Sequence, residues 1–262
     1  LGGFFLWVTA VAILAPLSLG GFEVMAPATS TRGAARGYAT VWASDMSQLL
    51  VRYSIRLSPI YGGLTLVLWL TLLMLGDTPL VAFCHAMSTL ATSGISPVGG
   101  LEGGGSAFTG ELVVLIFMIF AISRQTFFSD QPGAGFGRLF VDPEFRIGMS
   151  LVVIVPLLLF VRHWFGAAEV NEIANAPAAL SALWGSIFTV MSFLTTTGFE
   201  SADWQGARAW SGLSTPGLIL IGLSLVGGGV ATTAGGVKLL RIYALYKHST
   251  REMDRLVHPS SV

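Results

Sequence analysis

The chain has 262 residues, 53% apolar and 11% charged, with a formal net charge of zero. Mean hydropathy is +0.73, whereas a soluble domain carries about 25% charged residues, so the composition is that of a membrane protein. No basic excess supports nucleic-acid binding, no zinc-like Cys/His spacing occurs, and the single cysteine, Cys84, excludes an internal disulfide.

The opening LGGFFLWVTAVAILAPLSLGG lacks the basic start of a signal peptide. It reads as the inside of a membrane helix, and the chain therefore as a fragment. A spanning helix needs roughly 20 mainly apolar residues to cross about 30 Å of hydrocarbon. Residues 2–20, 58–76, 109–125 and 147–164 satisfy this, and 214–247 is long enough but interrupted. Two further apolar runs, 79–91 and 180–194, have the length of re-entrant half-helices. Arg32, Arg36, Arg52 and Arg56 fall in one connection, Arg124, Arg138 and Arg146 in another, and Lys238, Arg241, Lys247, Arg251 and Arg255 after the last span. These share one side if both short runs enter and leave by the same face, and by the positive-inside rule that side is cytoplasmic. Asp77, Glu102, Glu169, Glu172, Glu200 and Asp203 lie on the other.

The two short runs are copies. FCHAMSTLATSGI (83–95) aligns without a gap to IFTVMSFLTTTGF (187–199), matching Met87/Met191, Ser88/Ser192, Leu90/Leu194, Thr92/Thr196 and Gly94/Gly198. The unit is helix, half-helix, polar turn, helix, twice in the same orientation. A half-helix delivers its turn to membrane depth, where non-helical backbone must be buried in protein or line water. Carbonyls there can replace a monovalent cation's hydration shell. Thr and Ser add hydroxyl oxygens, glycine permits positive φ, and the negative helix end favours a cation. TSGIS and TTGFE are thus expected to bind cations, with Glu200 and Asp203 at the outer mouth concentrating them.

LVGGGVATTAGGVKLLR (225–241) holds five glycines within 227–236. Each weakens a helix by about 1 kcal/mol relative to alanine, so the last span should break near mid-membrane. The alternatives are a gate and a tight helix-packing surface; packing normally places small residues four apart rather than in a run. Lys238 follows directly, either contacting the loop or snorkelling to the cytoplasmic interface. His85, beside Cys84 on a half-helix, is expected to pack, since neighbours at i and i+1 do not share a face. His163, His248 and His258 suggest no catalysis, and the basic stretch 238–258 reads as ordinary positive-inside charge.

The turns ATSGIS and TTTGFESADW, followed by GGGVATTAGGVKLLR, resemble the membrane subunit of the Trk/Ktr/HKT superfamily of potassium transporters. The opening residues and the tail REMDRLVHP resemble its bacterial TrkH branch. The resemblance implies an all-α integral membrane fold of four tandem helix–pore-helix–helix (M1-P-M2) repeats around one pore. Each repeat contributes a filter turn, and an intramembrane loop breaks the last helix of the third. Carried onto this chain, potassium-binding positions are Thr92, Ser93, Gly94 and Ile95 in the second filter turn and Thr196, Thr197, Gly198 and Phe199 in the third. The gate loop 227–236 has Gly227, Gly228, Gly229, Thr232, Thr233, Gly235 and Gly236, with Lys238 adjoining. The implied organisation is 1–21, second helix of a truncated first repeat; 22–57, cytoplasmic connection; 58–126, second repeat; 127–146, connection; 147–248, third repeat; and 249–262, tail towards a fourth. It further implies a homodimer in the bacterial inner membrane, a cytoplasmic nucleotide-binding regulatory subunit (TrkA-like), potassium as substrate, and neither cofactor nor transition metal. With one filter turn and the fourth repeat absent, these residues alone are not expected to conduct. Ser93 and Ile95 stand where family members often carry glycine and phenylalanine.

Three rival readings predict other features. An ion-coupled transporter of organic solutes would show inverted repeats, and these are parallel. An intramembrane hydrolase would need a Ser–His pair, two membrane aspartates or H-E-x-x-H. None is expected here, Glu111 being the one acid inside a predicted span. A purely structural subunit would not need duplicated turns.

Overall fold

The computed structural model describes residues 2–14, 42–123, 140, 142–167, 176–212 and 216–257. Among these, all regular structure is helical. Helix α1 (Gly2–Thr9) passes into a π-helical turn, Ala10–Leu14. Then come α2 (Trp42–Met74), α3 (Pro79–Ala91) and α4 (Ala107–Met118), which tightens into a 3-10 turn at Ile119–Ala121. The second half holds α5 (Pro143–Ala167), α6 (Ala176–Leu194), α7 (Trp204–Ser211), α8 (Gly217–Val226) and α9 (Leu239–Val257).

Several boundaries differ from the hydropathy reading, each for a local reason. Helix α2 begins at Trp42, well before residue 58. Its amino-terminal half, with Arg52 and Arg56, is polar but has no helix breaker before Pro59. At 1.5 Å per residue it is roughly 50 Å long, more than a bilayer core requires. Helix α6 has 19 residues rather than about a dozen, because Ala and Pro at 176–179 suit a helix start without raising hydropathy. Helix α7 was not expected; it begins after Asp203 and ends at Gly212, whose φ of 60° stops it. Helix α9 runs past residue 248 to Val257. Parts of the expected 2–20 span and of the connections fall at 15–41, 124–139 and 168–175, and His258 at 258–262, all outside the described residues.

Helices α2, α3 and α4 pack against one another; α6 packs against α5, α7 and α8, and α5 also against α7 and α9; α4 touches α6 across the two groups. The shared core includes Leu68, Leu72, Met118, Phe188, Met191 and Leu194. A smaller cluster joins Trp7, Val8, Val11 and Leu57 to Val230, Ala231 and Leu240. Leu66, Val67, Leu70 and Met74 of α2 and Val153, Ile154, Leu157 and Leu158 of α5 remain exposed. The stretches Ser47–Met74 and Pro143–Val161 are long and apolar enough to cross a membrane. Where helices meet inside lipid, close packing and internal hydrogen bonds hold them, because lipid is as apolar as leucine.

Candidate functional site

The duplicated sequences end in duplicated backbone. At the end of α3, Ser93 N–H donates to Ser88 O (3.0 Å) and Thr92 N–H to Thr89 O (3.2 Å); at the end of α6, Thr197 N–H donates to Ser192 O (2.8 Å) and Thr196 N–H to Phe193 O (3.1 Å). These paired bonds form Schellman closures, whose left-handed residue is ordinarily glycine. Here it is threonine both times, Thr92 at φ 48° and Thr196 at φ 56°. A β-branched residue at positive φ is strained. Gly94 (φ 63°) and Gly198 (φ 87°) follow two residues later in each copy. Threonine, polar residue, glycine thus adopt one unusual conformation twice.

The two turns touch. A Cβ on Gly94 would lie closer to the Thr197 carbonyl oxygen than real Cβ contacts allow, while one on Gly198 would meet nothing within 4 Å. Thr92, Thr197 and Phe199 are buried, Thr196 and Gly94 half-buried, and Ser93, Ile95 and Gly198 exposed. Hydroxyls brace the third-repeat turn: Thr195 Oγ1 lies 2.9 Å from Thr197 Oγ1 and donates to the Met191 or Ser192 carbonyl. Glu200 is exposed, whereas Asp203 is half-buried with its backbone against Gly185.

The glycine-rich segment lies against both turns. Helix α8 stops at Val226 because Gly227 takes φ 74°, and regular helix resumes at Leu239. Gly235 N–H donates to Thr196 Oγ1 (2.6 Å), and Thr233 Oγ1 donates to Leu90 O (3.0 Å). The loop is otherwise tightly held. Gly229 N–H reaches Ala121 O (3.0 Å), Leu239 N–H reaches Gly228 O (3.1 Å), and Thr232 Oγ1 closes on Gly229 O (2.7 Å). Side chains at Gly227, Gly228 or Gly229 would strike the backbone at Gly235, Ala121 or Ile122. Glycine serves here for close approach as much as for freedom of φ. Lys238 bends back so that Nζ donates to the Ala234 carbonyl of the loop. A cleft beside the loop is lined by Trp7, Tyr61, Thr89, Leu90, Thr232 and Thr233.

Three buried polar groups escaped the sequence reading. Glu111 of α4 accepts Trp184 Nε1–H (2.8 Å) and Ser201 Oγ–H (2.7 Å) on Oε2 and Ala202 N–H (2.7 Å) on Oε1. It ties the chain after Phe199 to α6 and to the other group of helices. Its place as the one acid inside a predicted span was the available signal, because buried intramembrane carboxylates are expensive. We expect Glu111→Ala to destabilise the protein by about 3 kcal/mol or more, three donors losing their acceptor, with Glu111→Gln intermediate. Thermal unfolding in detergent measures this order. Glu144 accepts Val230 N–H (2.8 Å).

The third group corrects two expectations. His85 is fully buried, but it does more than pack. Its Nε2 lies 2.8 Å from Ser96 Oγ, its Nδ1 lies 3.7 Å from Asp77 Oδ2, and its ring meets Phe199 edge-on. A Ser–His pair therefore exists, in triad order, where none was expected. It is not disposed for nucleophilic attack. Ser96 Oγ donates to Gly100 O and accepts Val98 N–H, and the His–Asp separation exceeds a hydrogen bond. Asp77 Oδ1 accepts Ser106 N–H (2.8 Å), so the cluster ties the start of α4 to the link between α2 and α3 and to the body of α3.

Residues 145–262 of the chain match the family described as TrkH, Cation transport protein. Over its whole length it is 30% identical to the Trk system potassium uptake protein TrkH of Salmonella typhimurium and 29% identical to that of Vibrio parahaemolyticus. It spans about half the length of these curated relatives (50% of each). The crystal structure of the potassium transporter TrkH from Vibrio parahaemolyticus matches with a TM-score of 0.74 at 24% identity, covering 100% of this chain and 49% of that one. The resemblance read from the sequence is thus borne out: the chain is similar in sequence to Trk system potassium uptake proteins and shares the helical fold of the TrkH crystal structure.

Proposed function

We propose that the chain forms part of a potassium uptake pathway in the bacterial inner membrane, as a multi-pass subunit. The observation that carries this is the strained Thr-x-Gly turn, adopted twice at the ends of apolar helices and brought face to face at Gly94 and Thr197. Backbone held at positive φ turns carbonyls away from the helix direction, and fixed carbonyls are what a dehydrated monovalent cation requires. Thr92, Ser93, Gly94 and Ile95 and Thr196, Thr197, Gly198 and Phe199 form two of four filter turns, potassium being the substrate. Exposed Ile95 and buried Phe199 make the two turns unequal.

Helices α2, α3 and α4 form one M1-P-M2 repeat and α5, α6, α8 and α9 another, α2, α5 and α9 extending beyond the expected boundaries 58–126 and 147–248. The segment Gly227–Gly236 is the gate. Its bonds to Thr196 and Leu90 place hydroxyls and amides of the loop against the turns. The span of about half the relatives' length fits two of four repeats. The intact protein conducts as a homodimer docked on a cytoplasmic nucleotide-binding subunit of the TrkA type.

The test is growth at low potassium of a bacterium lacking its own uptake systems, carrying the intact protein as wild type, Gly198→Ser, or a deletion of residues 229–234. Rescue by wild type, sodium sensitivity or loss in Gly198→Ser, and an altered leak in the deletion support filter and gate. Wild type present in the membrane without rescue overturns the potassium reading and leaves organic-solute transport as the leading alternative.

A further inference from the structure

We infer that Glu144 is a positioning residue that latches the glycine-rich loop in its closed place. The inference rests on the gate reading above. Glu144 is 2% exposed and lies in the first turn of α5, while Val230 is fully buried in the loop between α8 and α9. The Glu144 carboxylate accepts Val230 N–H at 2.8 Å, and 86 residues separate the two. The carboxylate is itself positioned. Asp142 Oδ1 accepts Glu144 N–H (3.1 Å), and Asp142 Oδ2 accepts the Ser123 hydroxyl just beyond α4.

The same end of α4 receives the loop directly. Ala121 O accepts Gly229 N–H, and the backbone at Ala121 and Ile122 leaves no room for a Cβ on Gly228 or Gly229. The loop's leading residues, 228–230, thus sit in a cradle where the α2–α4 group ends and α5 begins. Its trailing residues, Thr233 and Gly235, are held by the turns instead. The two halves have different anchors: a buried carboxylate holds the leading one, whereas the trailing one has the turns and the Lys238 ammonium at the Ala234 carbonyl. A charge-assisted bond in a water-poor site is strong, and its acceptor is expensive to keep there without a donor. Glu144 therefore favours the closed loop, and shortening its side chain frees Val230 without touching the turns.

The experiment uses the intact protein in cells lacking other potassium uptake. It compares wild type, Glu144→Gln, Glu144→Asp, Glu144→Ala and the 229–234 deletion for radioactive rubidium flux. In parallel, Thr232→Cys in a Cys84→Ser background reports loop exposure through its rate of modification by a membrane-permeant thiol reagent. Loss of the latch is expected to raise flux and modification roughly tenfold in Ala and Asp. Gln, which keeps an acceptor oxygen in reach, stays near wild type. Asp guards against a misfolded Ala variant. If the deletion raises flux while Ala and Asp, both in the membrane, raise neither quantity, the latch is overturned and the gate stands. If the deletion itself leaves flux unchanged, the gate reading fails and the latch with it.

Discussion

Gly94→Ala is expected to abolish cation uptake by the intact protein, whereas Gly198→Ala is expected only to reduce it. The two glycines occupy equivalent places in the repeated turn, at φ 63° and φ 87°, so alanine meets left-handed strain of about 1–2 kcal/mol at either. Their surroundings differ. A methyl at Gly94 falls on the Thr197 carbonyl oxygen, with the carbonyl carbon of Gly198 also within 4 Å, while a methyl at Gly198 enters open space. The obstacle at Gly94 is backbone, which cannot swing aside as a side chain does. One or both turns must shift, and Thr197, a proposed ligand position, is what the methyl pushes against. Each 1.4 kcal/mol corresponds to a factor of ten in affinity, so strain alone predicts roughly a tenfold loss at Gly198 and the added clash a far larger one at Gly94. Rubidium uptake at equal membrane abundance measures both. Equal losses would show that the contact between the turns has no part in transport.

Deleting residues 229–234 is expected to raise potassium flux by at least roughly tenfold. The deletion removes five ties: Gly229 to Ala121, Val230 to Glu144, Thr232 to Gly229, Thr233 to Leu90 and Ala234 to Lys238. Each contributes about 1 kcal/mol net, the one to Glu144 more. The two turns retain their own closures at Ser88 and Ser192, so on the proposed reading the pathway should lose its obstruction while the turns survive. Initial rates of rubidium uptake, with sodium uptake recorded beside them, read the effect. A large rise in both, with their ratio kept, separates gate from filter.

The turns were legible in the sequence because their chemistry is local. Threonine, hydroxyl and glycine at fixed spacing after an apolar run specify both a helix end and a polar surface, and the second copy removes the ambiguity of the first. The helix break at Gly227 was legible for the same reason. The supports were not. Glu111 and Ser201 are 90 residues apart, and Glu144 and Val230 are 86 apart; nothing in the local pattern of either partner names the other. His85 shows the limit well. Its neighbour Cys84 argued for simple packing, but its partners Asp77 and Ser96 arrive from the chain on either side of α3. Helix lengths failed where hydropathy and helix propensity part company, as at the polar start of α2. That threonine rather than glycine closes both helices at positive φ could be read only from the backbone.

The most direct measurement is rubidium uptake by the purified intact protein in liposomes, competed with potassium and with sodium. The account predicts uptake that potassium suppresses at concentrations where sodium has little effect, and loss of that uptake in Gly94→Ala. Protein correctly inserted but carrying no rubidium, or carrying it with no preference between potassium and sodium in the presence of both intact turns, would contradict it.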